Sequence, residues 1–469
     1  MNDALNPFLP NYEYVPDGEP HVFGDRVYLF GSHDKFNGYA FCLNDYVCWS
    51  ADVKNLADWK YEGVIYKRKQ DPRGLPGPLN ALYAPDVCKG PDGRYYLYYF
   101  MALQGIISVA VSDTPAGKYE YLGDVRYADG IILGRKHEPL QFDPGIFVDD
   151  DGRIYLYTGF GPVGTPSLLL GGHKATEHGP MCFELEHDML TIKKGPSYIG
   201  VEGKKHGKGT PYEGYEFFEA SSMRKRNGKY YFIYSTMNGH ELAYAVSDSP
   251  TKGFEYGGVL ISNGDIGISN EALNYTGNNH GSIENINGQE YIFYHRQTNR
   301  NSFSRQACAE RISFENGRFI QAEMTSCGLN GAPLGKGEYG AYIACQLYSK
   351  NGTYEYGPLK KPKGIHPYFT QKGMDREKNP NQYIANMTDG STAVFKYFTL
   401  SADRIILCVR ARGNGRMKVF ADGNLLCSID IKKRDRRVSK DIRINCENSE
   451  IKMVYEGEKS LDFISFKFE

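Results

Sequence analysis

One phrase, a tight turn followed by an aromatic strand, occurs five times in this chain and restricts its fold more than any other feature. It reads GDRVYLFGS from Gly24, DGRYYLYYF from Asp92, DGRIYLYTG from Asp151, NGKYYFIYS from Asn227 and NGQEYIFYH from Asn287. Asp-Gly and Asn-Gly accept the positive φ angles of tight hairpin turns. The aromatic and β-branched residues that follow suit a pleated, half-buried surface. The aligned tyrosines are Tyr28, Tyr96, Tyr155, Tyr231 and Tyr291, so the phrase returns every 59 to 76 residues. A second phrase keeps the same step: ISVAVSDTPAGKYEY from Ile107 and LAYAVSDSPTKGFEY from Leu242 each follow a blade strand at a similar interval.

A four-stranded antiparallel sheet cannot bury both of its faces alone, whereas several packed radially around an axis can. Five such units predict a five-bladed β-propeller over residues 1–335. Beyond it the phrase stops at a Gly-rich connection, NGAPLGKGEYG, and short alternating strands follow, among them AVFKYFTL, RIILCVRARG and FISFKFE. Such strands predict a jelly-roll-like β-sandwich over residues 341–469. The expected fold is all-β, and the 37 tyrosines and 25 phenylalanines agree with it.

Charge narrows the partners. Lysine and arginine total 55 against 56 acidic residues, a net charge of −1, so neither nucleic acid nor an anionic membrane is expected as a partner. No uninterrupted apolar run approaches the roughly 18 residues of a spanning helix. The first residues lack a basic stretch followed by an apolar one, which makes a cytoplasmic address the expectation. Ten cysteines lie mostly inside apolar strands without metal-type spacing, and they read as reduced, structural thiols. Oligomeric state is not legible.

Successive inner strands of a propeller surround one axis, so residues remote in sequence converge at its end. Three carboxylates precede blade strands: Glu19 in PDGEPHVF, Asp143 in FDPGIFVDDDG and Glu219 in FFEASSMRK. A lone carboxylate at such a place is usually a turn residue that caps backbone N–H groups. Three at corresponding places in different blades point instead to a shared cleft, with Phe142, Phe217 and Phe218 as apolar neighbours that raise carboxyl pKa values. Two carboxyl groups suffice to break a glycosidic bond by acid and base catalysis, and a third nearby keeps the acid protonated.

The same segments resemble glycoside hydrolase family 43, whose five-bladed propellers cleave arabinose- and xylose-containing glycans with inversion. The similarity runs over about residues 6–335, from NPFLPNYEYVPDGEPHVFGDRVYLFGSHD through YAPDV, FDPGIFVDDDGRIYL, FFEASSMRKRNGKYYFIYS and NHGSIENINGQEYIFYH to SRQACAERISF. It implies Glu219 as general acid, Asp143 as the residue tuning it, and Glu19, which precedes Pro20, as general base. The family base is usually aspartate, so Asp34 and Asp17 stand as alternatives to Glu19, and Asp34 otherwise reads as substrate-binding. Tyr83, His280 and Arg305 are implied as further sugar-site residues. A calcium ion near the axis, held by His280 directly or through water, is the one cofactor implied. The C-terminal region, with YIANMTDGSTAVFKYF and RARGNGRMKVFADG, resembles a carbohydrate-binding module of family 6. The expected activity is therefore release of arabinofuranose or xylose from plant-derived oligosaccharides. A β-galactofuranosidase and a non-catalytic glycan-binding propeller are the alternatives, and turnover of nitrophenyl glycosides separates them.

Overall fold

A computed structural model describes residues 4–74, 80–102, 104–358, 364–376 and 381–469. Blade 1 is an antiparallel sheet of β1 (Glu19–Phe23), β2 (Arg26–Phe30), β3 (Tyr46–Asp52) and β4 (Asn55–Tyr66), paired in that order. Blade 2 repeats the plan with β5 (Asp86–Lys89), β6 (Tyr95–Phe100), β7 (Ile107–Ser112) and β8 (Glu120–Asp124). Blade 3 adds a fifth strand, β9 (Arg126–Tyr127), parallel at its outer edge. Its other strands are β10 (Gly145–Val148), β11 (Ile154–Thr158), β12 (Met181–Leu185) and β13 (Thr191–Tyr198). Blade 4 is β14 (Phe217–Arg226), β15 (Lys229–Thr236), β16 (Glu241–Ser247) and β17 (Glu255–Ser262). Each turn phrase joins the first two strands of its blade. In blade 4 both Asn227 and Gly228 have positive φ, 50° and 78°, the pairing that suits a two-residue hairpin.

Blade 5 has three strands among the described residues: β18 (Ile283–Ile286), β19 (Gln289–Gln297) and β20 (Arg305–Arg311). A short hairpin of β21 (Phe314–Glu315) and β22 (Arg318–Phe319) follows it. The N-terminal segment completes the outer side of the blade. Asn6 Nδ2 donates to Ala309 O at 3.0 Å and Ala309 N donates to Asn6 Oδ1 at 2.9 Å, so a side-chain amide imitates a strand pair. Phe8 and Leu9 pack there with Phe293 of blade 5 and Trp49 of blade 1.

The inner strands meet around the axis. Asp86 of blade 2 contacts His21 of blade 1 at 2.7 Å and accepts from Ile146 N of blade 3 at 2.8 Å. Gly145 is required by the next contact, since a Cβ there would sit 2.3 Å from Ser221 O of blade 4. Arg224 Nε then donates to Ile283 O of blade 5 at 3.0 Å, and a bridge between Gly18 and Gly281 returns to blade 1.

The C-terminal strands are β23 (Gly337–Gly340), β24 (Gln346–Tyr348), β25 (Tyr368–Lys372), β26 (Asn381–Met387), β27 (Ser391–Ala411), β28 (Gly415–Ala421), β29 (Asn424–Ile431), β30 (Arg437–Gly457) and β31 (Leu461–Phe468). They share one hydrogen-bonded network, because two 21-residue strands serve both layers of a sandwich. The first part of β27 pairs with the end of β30 (Ser391 with Tyr455), and its last part pairs with β31 (Val409 with Phe463). Register breaks between Phe395 and Arg404 bend β27 from one layer to the other, as corner bulges do. Phe395, Phe398, Phe463, Phe466 and Phe468 fill the space between. Each such ring stabilises by roughly 1.5–3 kcal/mol on burial. No α-helix occurs among the described residues, in line with the all-β expectation.

The two units are sewn together by polar contacts. Tyr14 donates to Gln371 Oε1 at 2.7 Å, Phe36 N to Asp375 Oδ1 at 2.7 Å, and Arg296 to Tyr342 O at 2.7 Å.

Candidate active site

The leading ends of all five inner strands converge on a cavity of about 600 Å³. Each blade supplies a polar group to it: Asp17, Tyr83, Asp143, Glu219 and His280, joined by Arg305 from β20. Asp17 and Asp143 stand in the same local frame. Each lies two residues ahead of its inner strand, and each is left-handed, with φ of 57° and 45°. Few residues other than glycine adopt this conformation, which costs on the order of 1 kcal/mol or more and clusters at functional sites. Glu219 lies inside β14 where the register with β15 slips, and the next residue, Ala220, has φ 67°. A bulge of this kind re-aims a side chain, here toward the axis.

Of the sequence-derived candidates, Asp143, Glu219, Tyr83, His280 and Arg305 line this cavity, whereas Glu19 and Asp34 are not among its lining residues. Glu19 begins β1 two residues past the carboxylate that faces the cavity. Its Oε2 accepts from Arg224 Nη2 and from Ser222 Oγ, both at 2.9 Å, in a buried ion pair. Glu19 thus neutralises Arg224 and is not part of the cavity lining. Asp34 is also occupied: it takes Arg305 Nε at 2.9 Å, Arg305 Nη2 at 3.0 Å, Arg305 N at 3.0 Å and Cys42 N at 3.0 Å. Asp34 therefore holds Arg305, and Arg305 is what meets the cavity. Phe217 turns into the core between blades 3 and 4, so the apolar wall is built instead from Phe41, Tyr83, Phe100, Phe142, Phe160 and Phe218. Their rings run in series, with Phe142–Phe160 centroids 4.8 Å apart and Phe160–Phe218 5.2 Å apart.

The carboxyl groups differ in charge preference. Burial would raise Asp17, but Arg305 Nη1 at 2.8 Å from Oδ1, aided by His280, holds it below the usual range. Glu219 is pushed well above the ordinary value by burial and then by the Asp143 charge. Asp143 is itself raised by burial, against the opposing pull of His280, whose Nδ1 lies 3.5 Å away. For His280, burial alone acts downward, yet Asp143 and Glu19 outweigh it and raise it well above the ordinary imidazole value. His295 lies behind Asp17. Burial and the neighbouring Arg305 bring its pKa down to about 3, so it is neutral at pH 7. His295 Nδ1 accepts from Asp17 N at 3.3 Å while Nε2 faces Asn278 O at 2.7 Å, which fixes the Nε2–H tautomer and steadies the strained Asp17 backbone.

Matching the carboxylate to the proline points to Glu19, whereas matching it to the strand points to Asp17. That second signal is present in the chain: Asp17-Gly-Glu19 and Asp143-Pro-Gly145 have the same offset to their strands. For a cation, Glu19, His21 and Asp86 present ligand atoms within 4.8 Å of one another. Glu19 Oε1 is buried, has no hydrogen-bond partner and lies 3.8 Å from His280 Nε2. An orphaned acceptor beside an imidazole and a second carboxylate fits a divalent ion that completes its shell with water.

Comparison with known proteins identifies the fold and the family. A xylosidase/arabinosidase of Thermoclostridium stercorarium is 50% identical over 439 residues, spanning 91% of this chain and 90% of its own. The crystal structure of a glycoside hydrolase family 43 arabinoxylan arabinofuranohydrolase from Bacillus subtilis shares the fold over 98% of this chain and 96% of its own, with a TM-score of 0.52 at 20% identity. CoXyl43, a β-xylosidase/α-arabinofuranosidase from a compost microbial metagenome seen with xylotriose in a calcium-free form, covers 67% of this chain and 96% of its own. It has a TM-score of 0.51 at 26% identity. Residues 5–319 match glycosyl hydrolases family 43, and the chain belongs to that family.

Proposed function

We propose that this glycoside hydrolase is an inverting exo-glycosidase that removes arabinofuranose or xylose from xylan-derived oligosaccharides, with Asp17 as general base, Glu219 as general acid and Asp143 as the group that keeps Glu219 protonated. One observation carries the assignment: a single cavity holds one carboxyl group, Asp17, drawn down by Arg305, and another, Glu219, pushed up by burial and by Asp143. Inverting hydrolysis needs that division of labour. The 50% identical xylosidase/arabinosidase supports the choice of sugar.

In this reading the terminal sugar sits against the aromatic wall, with Arg305 and Tyr83 as its hydrogen-bonding partners. Glu219 gives its proton to the departing glycosidic oxygen. Asp17 takes a proton from the water that adds to the anomeric carbon on the opposite face, so the configuration inverts. Exchange with solvent then returns Asp17 to the carboxylate and Glu219 to the acid. The propeller carries all three of these groups, and the C-terminal unit is an accessory to it. Glu19 and His280 would hold the implied calcium, the former through its unpartnered carboxylate oxygen. When bound, its charge would replace the proton on His280.

A panel of nitrophenyl α-L-arabinofuranoside, β-D-xyloside and β-D-galactofuranoside tests the reading. Release from the first two with an initial product of inverted anomeric configuration is the expected result. Retained configuration, or release from the galactofuranoside alone, overturns it.

A further inference from the structure

The cavity is not made by the propeller alone. Glu355, Tyr356, Gly357 and Pro358 reach it from the connection between β24 and β25 of the C-terminal unit. This stretch lies well past residue 319, where the family match ends.

The segment is fastened to blade 5 by backbone bonds on both sides of Glu355. Thr276 N donates to Tyr354 O at 3.2 Å, Tyr356 N to Thr276 O at 2.7 Å, and Ser302 Oγ to Tyr356 O at 2.5 Å. Tyr356 is buried, stacks on Tyr275 with ring centroids 5.2 Å apart and planes within 2°, and shares a hydrogen bond with His366 at 2.8 Å. A segment anchored at this many points has little conformational freedom to lose when a ligand arrives. Glu355, between the anchors, is exposed and borders the cavity. Asp17 and Asp143 at the bottom are buried and Glu219 is half-buried, so an exposed lining residue marks the mouth. Asn238 and Gly239 of the β15–β16 turn also line the cavity. The Glu355 charge also acts on the adjacent His240.

We infer that Glu355, supplied by the C-terminal unit, is a specificity-determining residue that accepts hydrogen bonds from the sugar on the leaving-group side of the bond to be cleaved. The inference rests on the glycosidase reading above. With the terminal sugar at the bottom, whatever it is attached to must leave through the mouth, past Glu355. A carboxylate there accepts from neutral sugar hydroxyls, and charge-assisted bonds of that kind are stronger than neutral ones. A nitrophenyl group offers no such donors.

The test compares Glu355→Ala and Glu355→Gln with the parent protein on xylobiose and on nitrophenyl β-D-xyloside. Glu355→Ala is expected to lower the ratio of kcat/KM for xylobiose to that for the nitrophenyl glycoside by at least tenfold, mainly through KM. Glu355→Gln, which keeps an acceptor oxygen, recovers most of the loss. An unchanged ratio, or an equal fall on both substrates, overturns the inference. If the parent protein cleaves neither, the glycosidase reading fails, and calorimetric binding of xylobiose and xylose decides this one separately. Loss confined to the disaccharide in Glu355→Ala sustains a leaving-side subsite, and equal or absent loss removes it.

Discussion

Arg224 Nη2 lies 2.9 Å from Glu19 Oε2, a buried ion pair that joins blade 4 to blade 1 past the inner edge of blade 5. The pair accounts for both residues: Glu19 satisfies a guanidinium that has no route to water, and Asp17, two residues earlier, is left to face the cavity.

Substitution of the two carboxylates should therefore have different consequences. Asp17→Ala is expected to cut turnover by at least about 10³-fold, with azide restoring part of it and yielding a glycosyl azide of inverted configuration. Glu19→Ala strands Arg224 and should cost about 3–5 kcal/mol of stability, read by denaturant unfolding. A fully active Asp17→Ala protein would show that the base lies elsewhere.

Glu219→Gln removes the proton donor without changing shape. Its turnover of xylobiose should fall by at least about 10³-fold, and that of nitrophenyl glycosides much less, because a good leaving group needs little protonation. Equal losses on both would assign Glu219 another task.

The same substitution should stabilise the fold at alkaline pH. The folded-state pKa of Glu219 is raised, so its contribution is favourable below the unfolded value and is lost as pH rises through the folded one. A tenfold difference in proton affinity between the folded and unfolded chains corresponds to about 1.4 kcal/mol. Thermal unfolding at pH 8 should give Glu219→Gln a Tm about 2 °C or more above that of the parent, and the difference should vanish near pH 4.

A bell-shaped dependence of kcat/KM on pH is expected, its acidic limb set by protonation of Asp17 and its alkaline limb by ionisation of Glu219. Arg305 is the main group holding Asp17 down. Arg305→Lys loses the planar fork that spans Asp17 and Asp34, and its acidic limb should move to higher pH. An acidic limb that stays in place would separate it from Asp17.

Calcium at 100 times its dissociation constant should stabilise the fold by about 2.7 kcal/mol. Scanning calorimetry with calcium against chelator reads the effect, and Glu19→Gln should weaken it by removing a charged ligand. An identical response in that variant would move the ion away from Glu19.

The propeller is legible in the chain because its instructions are local. A turn such as Asn227-Gly228 and the aromatic strand after it need no distant partner to be recognised, and fivefold repetition supplies the global arrangement. Strand placement likewise points Asp143 and Glu219 to one axis from the sequence alone, whereas His280 entered through the family resemblance. What the tertiary structure decided was direction. Glu19 and Asp17 are two residues apart, and only the left-handed turn at Asp17 and the reach of Arg224 from blade 4 determine which carboxylate meets the cavity. Asp34 reads as a sugar ligand in sequence, yet Arg305, 271 residues away, occupies it. Glu355 had no legible role at all, since its place at the mouth depends on the docking of Tyr354–Tyr356 against Thr276. Backbone conformation and strand period are encoded in neighbouring residues, whereas the partner of a charged side chain is chosen by contacts between segments remote in the chain.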